Sequence, residues 1–205
     1  MEKTHRPLGR PRKEHNDTPT KDLILHTAAS MFLEKGYPLV SMDDVAGKCS
    51  VTKATIYYHY KTKAELFTGA MVQILTRVKQ KSTDILATDE PLKTQFFHIT
   101  KAHLEATINI DITTLMKEAE NSLPAAQMAE LKQAEEALYG VIEDALTRAM
   151  DKGDIPYSNP HLATLIFVNL LTVRNTMNEA FKQSFTTTDD LAKEITNFYW
   201  HGLGQ

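Results

Sequence analysis

SMDDVAGKCSVTKATIYYHYKTKAELF, from Ser41 to Phe67, reads as two short helices joined by a tight turn. Ser41 is a helix N-cap residue and Asp44 follows three positions on, the spacing of a capping box with Asp in place of Glu. Val45 and Ala46 give the first helix a small apolar side, and the helix ends near Cys49. Ser50-Val51-Thr52 makes the turn, and Thr52 caps the second helix. In a helix-turn-helix, the N-terminal end of the second helix meets base edges in the major groove. Here that end carries Thr52, Lys53, Ala54 and Thr55. Tyr57, Tyr58, His59 and Lys63 follow as donors suited to phosphate oxygens. Together with Ser41 these are the candidate DNA-binding residues, and Ile56 is the apolar anchor expected to face the core. A hairpin buried in an ordinary core would not collect Lys53, Tyr57, Tyr58, His59, Lys61 and Lys63 in so short a span.

This stretch resembles the DNA-binding signature of the TetR family of bacterial transcriptional regulators. The resemblance rests on Val45-Ala46, Thr52-Lys53, Ile56-Tyr57-Tyr58-His59-Tyr60, Thr62-Lys63 and Glu65-Leu66. Two positions depart from the family pattern. Ser50 stands where Gly is usual in the turn and takes a left-handed backbone less readily. Ala54 stands where Gly often follows the Lys, and its methyl can either touch a thymine methyl or block close approach. Further along, Thr113 to Ala126 (TTLMKEAENSLPAA) resembles the middle of the regulatory domain in the AcrR/AefR-like branch, with Leu123 in place of the usual Phe.

Composition agrees with a soluble helical protein. The chain has 205 residues, 42% hydrophobic and 24% charged, with only eight Gly and eight Pro. No apolar run is long enough to span a membrane, and the N-terminus has no apolar signal core, so a cytoplasmic location is expected. One cysteine cannot form an internal disulfide, and a small buried thiol is the reading for Cys49. The net charge of −3 divides unevenly: residues 1–68 carry +3 and residues 69–205 carry −6. That asymmetry predicts a nucleic-acid module attached to a body that stays off nucleic acid.

Residues 1–19 are expected to be a disordered basic arm. Within them Gly9-Arg10-Pro11-Arg12-Lys13 resembles an AT-hook core, which would bring Arg10 and Arg12 to a minor groove; a solvated tail is the alternative. Residues 20–67 form the helix-turn-helix domain, opened by a helix over 20–36. Ile24, Ala28, Met31 and Phe32 form that helix's buried stripe, and Gly36 caps it. Residues 68–205 form a ligand-binding and dimerisation domain, and the fold class is all-α with about nine helices. A fourth helix from Thr62 to about Leu86 has an apolar stripe wide enough to pack on both head and body. Further helices are predicted at 90–108, 111–121, 124–152, 160–184 and 189–202, the last capped by Thr188.

The resemblance implies a homodimer whose last two helices pair with their copies, here through Leu162, Leu165, Ile166, Phe198 and Trp200. It also implies a ligand site in the body. Met71, Leu75, Phe96, Phe97, Leu115, Met116, Tyr139 and Phe167 are the candidate lining, though each would equally fill an ordinary core. The body's net charge favours a neutral or cationic lipophile over a polyanion. No cofactor and no metal is expected: His98 and His103 are five apart and diverge on a helix, and no zinc-spaced Cys/His set, phosphate loop or nucleophile elbow is present. The function expected is therefore a ligand-responsive DNA-binding regulator, most often a repressor in this family. It would bind a double-stranded, near-palindromic operator and be released by a small-molecule inducer. A constitutive or architectural DNA-binding protein is the alternative, and an enzyme is not expected.

Overall fold

The computed structural model describes residues 20–106, 112–177 and 185–204. The basic arm, including Arg10 and Arg12, lies outside the described residues, as do 107–111 and 178–184. Among the described residues every regular element is an α-helix.

The head is built from α1 (Thr20–Lys35), α2 (Met42–Lys48) and α3 (Lys53–His59). The α1 stripe is buried at Ile24, Leu25, Ala28, Ala29, Met31 and Phe32. The helix stops at Gly36, whose φ of +80° is available to glycine at little cost and lets its N–H close on the Phe32 carbonyl. Phe32, Tyr37 and Phe67 then meet as a ring cluster with centroids 4.9 to 5.9 Å apart. The box at Ser41 closes as expected, with the Asp44 amide donating to Ser41 Oγ and the Ser41 amide donating to Asp44 Oδ2. The Ser41 hydroxyl, which donates to Asp44 Oδ2 at 2.6 Å, and then the Ser41 amide hold the Asp44 carboxyl below its ordinary pKa.

Helix α4 (Lys63–Leu86) starts in the head, packs on α1, and continues into the body against α5 (Leu92–Glu105) and α7 (Ala125–Lys152). Between these last two runs α6 (Ile112–Glu120). Its Leu115, Met116 and Ala119, with Leu123 and with Leu131 of α7, are buried in the same cluster as Phe32 and Phe67. The head's core thus runs past residue 67 and includes elements of the body.

The body's own core centres on Phe96. Its ring lies 4.5 Å from Phe167 and 5.7 Å from both Tyr199 and Trp200. Phe167 belongs to α8 (Pro160–Leu171), and Tyr199 and Trp200 to the last helix, here α10 (Thr188–Gly202), which packs on α5 and α8. Burial holds the Tyr199 hydroxyl well above its usual pKa, and that hydroxyl donates to the Ala163 carbonyl at 3.1 Å.

Two boundaries differ from expectation. The helix expected over 160–184 breaks at Thr172 and is followed, among the described residues, by one further turn, α9 (Val173–Thr176). Around the break, Asn169 Nδ2 bonds the Leu165 carbonyl and Thr172 Oγ1 bonds the Asn169 carbonyl, so side chains compete for the groups that would carry the helix on. The last helix is capped by Thr187, not Thr188. Only Thr187 places Asp190 three residues on, and both halves of that capping box form.

Candidate nucleic-acid interface and ligand cavity

The turn between α2 and α3 is a Schellman closure. The Val51 amide donates to the Ala46 carbonyl and the Ser50 amide to the Gly47 carbonyl. This geometry needs a left-handed residue at Ser50, whose φ is +55°. Thr52 then caps α3 by accepting from the Thr55 amide at 3.1 Å, and its hydroxyl meets that of Thr55 at 2.8 Å. Ile56 is fully buried, which fixes the rotation of α3 about its axis. The opposite face is therefore solvent-exposed: Thr52, Lys53, Ala54, Tyr57 and Tyr58, with Tyr58 76% exposed. Ser41 is exposed as well, while Thr55 and His59 are partly covered.

The lysines differ in how free they are. Lys53 Nζ makes an exposed ion pair with Asp43 at 2.7 Å, and that hydrogen bond raises its pKa. Such pairs contribute little in water and separate readily, so Lys53 remains available to another partner. Lys61 Nζ donates to the carbonyls of Tyr57 and Tyr58 and so closes the C-terminal end of α3. Lys63 Nζ donates to the Pro38 carbonyl at 3.0 Å and lies 4.5 Å from the Tyr37 ring centroid. Partial burial pushes its pKa down. The structure thus uses Lys63 to tie the loop between α1 and α2 to α4. No signal in the local sequence distinguishes this lysine from a free phosphate donor, because its partners lie 25 residues upstream.

In the body, a cavity of about 270 Å³ opens between α4, α5, α7 and α8. Leu75, Tyr139 and Phe167 of the expected lining border it. The other five candidates lie elsewhere. Met71, Leu115 and Met116 are buried in the head's core, because α6 turns its apolar side to the head. Phe96 is in the aromatic centre of the body. Phe97, about 100° further round α5, packs on a third cluster with Leu104, Leu191 and Ile195. An apolar residue announces burial without saying which of several cores receives it. The residues missed, among them Arg77, Lys81, His103, Leu138 and Ile142, include polar ones that a search for apolar lining passes over. Arg77 and Lys81 also place positive charge beside the cavity, against the expectation drawn from the body's net charge. A sum over a whole domain does not report the field at one opening, since separated surface charges are screened.

Of the expected dimer residues, Leu162 is 55%, Ile166 48% and Phe198 72% exposed, and Leu165 is partly buried. Trp200 is buried within one chain against Phe96 and leaves no surface for a partner. At two positions from Phe198 on a helix it points to a different side.

Residues 24–70, which span α1 to the first turns of α4, match the family described as bacterial regulatory proteins, tetR family. Over these residues the chain is similar to the TetR family of transcriptional regulators. Among its relatives, the uncharacterized HTH-type transcriptional regulator YhgD of Bacillus subtilis is 28% identical over 152 residues, covering 73% of this chain and 79% of the relative. IcaR of Staphylococcus epidermidis, a negative transcriptional regulator of the biofilm operon icaADBC, is 23% identical over 177 residues, covering 83% and 89%. The fold also matches the crystal structure of AibR in complex with isovaleryl coenzyme A and operator DNA. The TM-score is 0.69 at 17% identity, covering 89% of this chain and 98% of that one. No described helix is long and apolar enough to cross a membrane.

Proposed function

We propose that this chain is a dimeric, ligand-responsive TetR-family repressor of transcription, acting in the cytoplasm and without catalytic activity. One observation carries the reading: the exposed polar face of α3 stands on a head whose core is shared with α6 and α7. Helix α7 also lines the cavity through Leu138, Tyr139 and Ile142. A ligand that repacks α7 therefore acts directly on the support of the recognition helix. Thr52, Lys53, Ala54 and Thr55 would meet base edges, and Ser41, Tyr57, Tyr58 and His59 would meet phosphates. Leu162, Ile166 and Phe198 are exposed apolar residues of the kind a dimer covers. The relatives act as regulators of transcription, one of them negatively, and AibR holds both an acyl thioester and operator DNA. The cavity favours this reading over a constitutive DNA-binding protein, which has no use for one.

The test is a titration of the promoter beside the protein's own gene against a scrambled fragment of equal length and salt. Preferential binding to the promoter, weakened by a compound that raises the melting temperature, is the expected result, since the two equilibria are linked. Equal affinity for both fragments would sink the reading.

A further inference from the structure

The cavity is chemically polarised. One side is apolar, with Ile99 from α5, Leu138 and Ile142 from α7, and Phe167 and Leu171 from α8. On the α4 side, Arg77 and Lys81 also line it, both exposed and four residues apart on one helix face. Neither makes an ion pair among the described residues. Like charges at this spacing repel each other along a helix, so the pair is an unfavourable arrangement that an anion would relieve. The acid on the lining, Glu135, accepts a hydrogen bond from Tyr139 at 3.0 Å on its own helix. His103, also on the lining, has its pKa lowered by burial and then by Arg174, so it adds no positive charge at neutral pH.

We propose that the cavity takes an amphiphile made of an apolar chain ending in an anionic group, with the anionic end held by Arg77 and Lys81 and the chain against Ile142 and Phe167. This rests on the cavity being the effector site of the proposed regulator. The Arg77 guanidinium offers the paired donors that match a carboxylate or a phosphate, and the Lys81 ammonium adds a compact charge beside it. A cationic lipophile would bring a third positive charge to the same opening, where juxtaposed like charges disfavour binding. The anionic end has two possible sources, a free carboxylic acid or the phosphates of an acyl-CoA thioester.

The experiment compares four ligands with the same eight-carbon chain on the full-length protein by calorimetric titration: octanoate, octanoyl-CoA, octanol and octyltrimethylammonium. The expected result is that octanoate or octanoyl-CoA binds about tenfold tighter than octanol, the scale of one charge-assisted hydrogen bond. Which of the two binds names the source. That preference should vanish in Arg77→Gln combined with Lys81→Gln and persist in Arg77→Lys, which keeps the charge. Both side chains are exposed, so the ligand-free variants should melt with wild type. Octanol or octyltrimethylammonium binding as tightly as the anions, no binding by any of the four, or a preference that survives in the double variant would each overturn the proposal. Promoter binding by ligand-free wild-type protein is measured alongside, and its loss would instead count against the regulator reading.

Discussion

Ser50 is a serine doing a glycine's work. The Schellman closure after α2 demands a left-handed backbone there, and the φ of +55° meets that demand with a Cβ in place. For an L-residue this conformation costs about 1–2 kcal/mol, and glycine's extra freedom in the unfolded chain returns about 0.4–1 kcal/mol of that. Ser50→Gly is therefore expected to stabilise the protein by about 0.5–1 kcal/mol, which for a chain of this size raises the melting temperature by roughly 1–4 °C. A calorimetric melt showing no change or a decrease would mean that the Ser50 side chain contributes more than its backbone costs. The sequence already marked this position, because a serine replaced the residue the turn prefers. It could not show that the strain is retained rather than relaxed into another turn.

At the scale of the element, α3 was legible because its signals are local. The Thr52 cap, the single apolar Ile56 and the polar run after it all lie within eight residues. Lys63 was not legible, since the Pro38 carbonyl and the Tyr37 ring that hold it come from the loop after α1. The same distinction separates the apolar stripe of α1, read correctly from its period, from the residues around the cavity, which depend on how four helices meet. Two substitutions follow different courses for this reason. Tyr58→Ala removes an exposed side chain and should weaken DNA binding while leaving the stability within about 0.5 kcal/mol of wild type. Lys63→Ala removes a tether and should destabilise the fold by about 1 kcal/mol, through the lost hydrogen bond and the ring contact. Paired thermal melts and promoter titrations check both, and a Lys63→Ala protein that melts with wild type would contradict the tether.

For the whole molecule, the requirement is two recognition helices spaced by about one turn of DNA, roughly 34–36 Å, or a multiple of it. A single chain carries one α3, so tight operator binding should fail when the copies separate. Leu162→Glu with Phe198→Glu puts charge on the exposed apolar face of α8 and α10 while sparing the core, and monomers are the expected product. Light scattering that still reports a dimer would place the interface on another face. Trp200, once a candidate there, is better left intact, because its ring packs on Phe96 inside one chain. The continuity between head and body has a consequence for engineering. Chimeric regulators are commonly imagined as interchangeable cassettes, a reading head spliced onto a foreign sensor. In this chain a splice at residue 67 would cut α4 between Phe67 and Met71 and leave behind Leu115, Met116, Leu123 and Leu131, all of which complete the head's interior. The portable cassette is therefore discontinuous in sequence: α1 to α4 must travel with α6 and the start of α7, or the recognition helix arrives without its foundation.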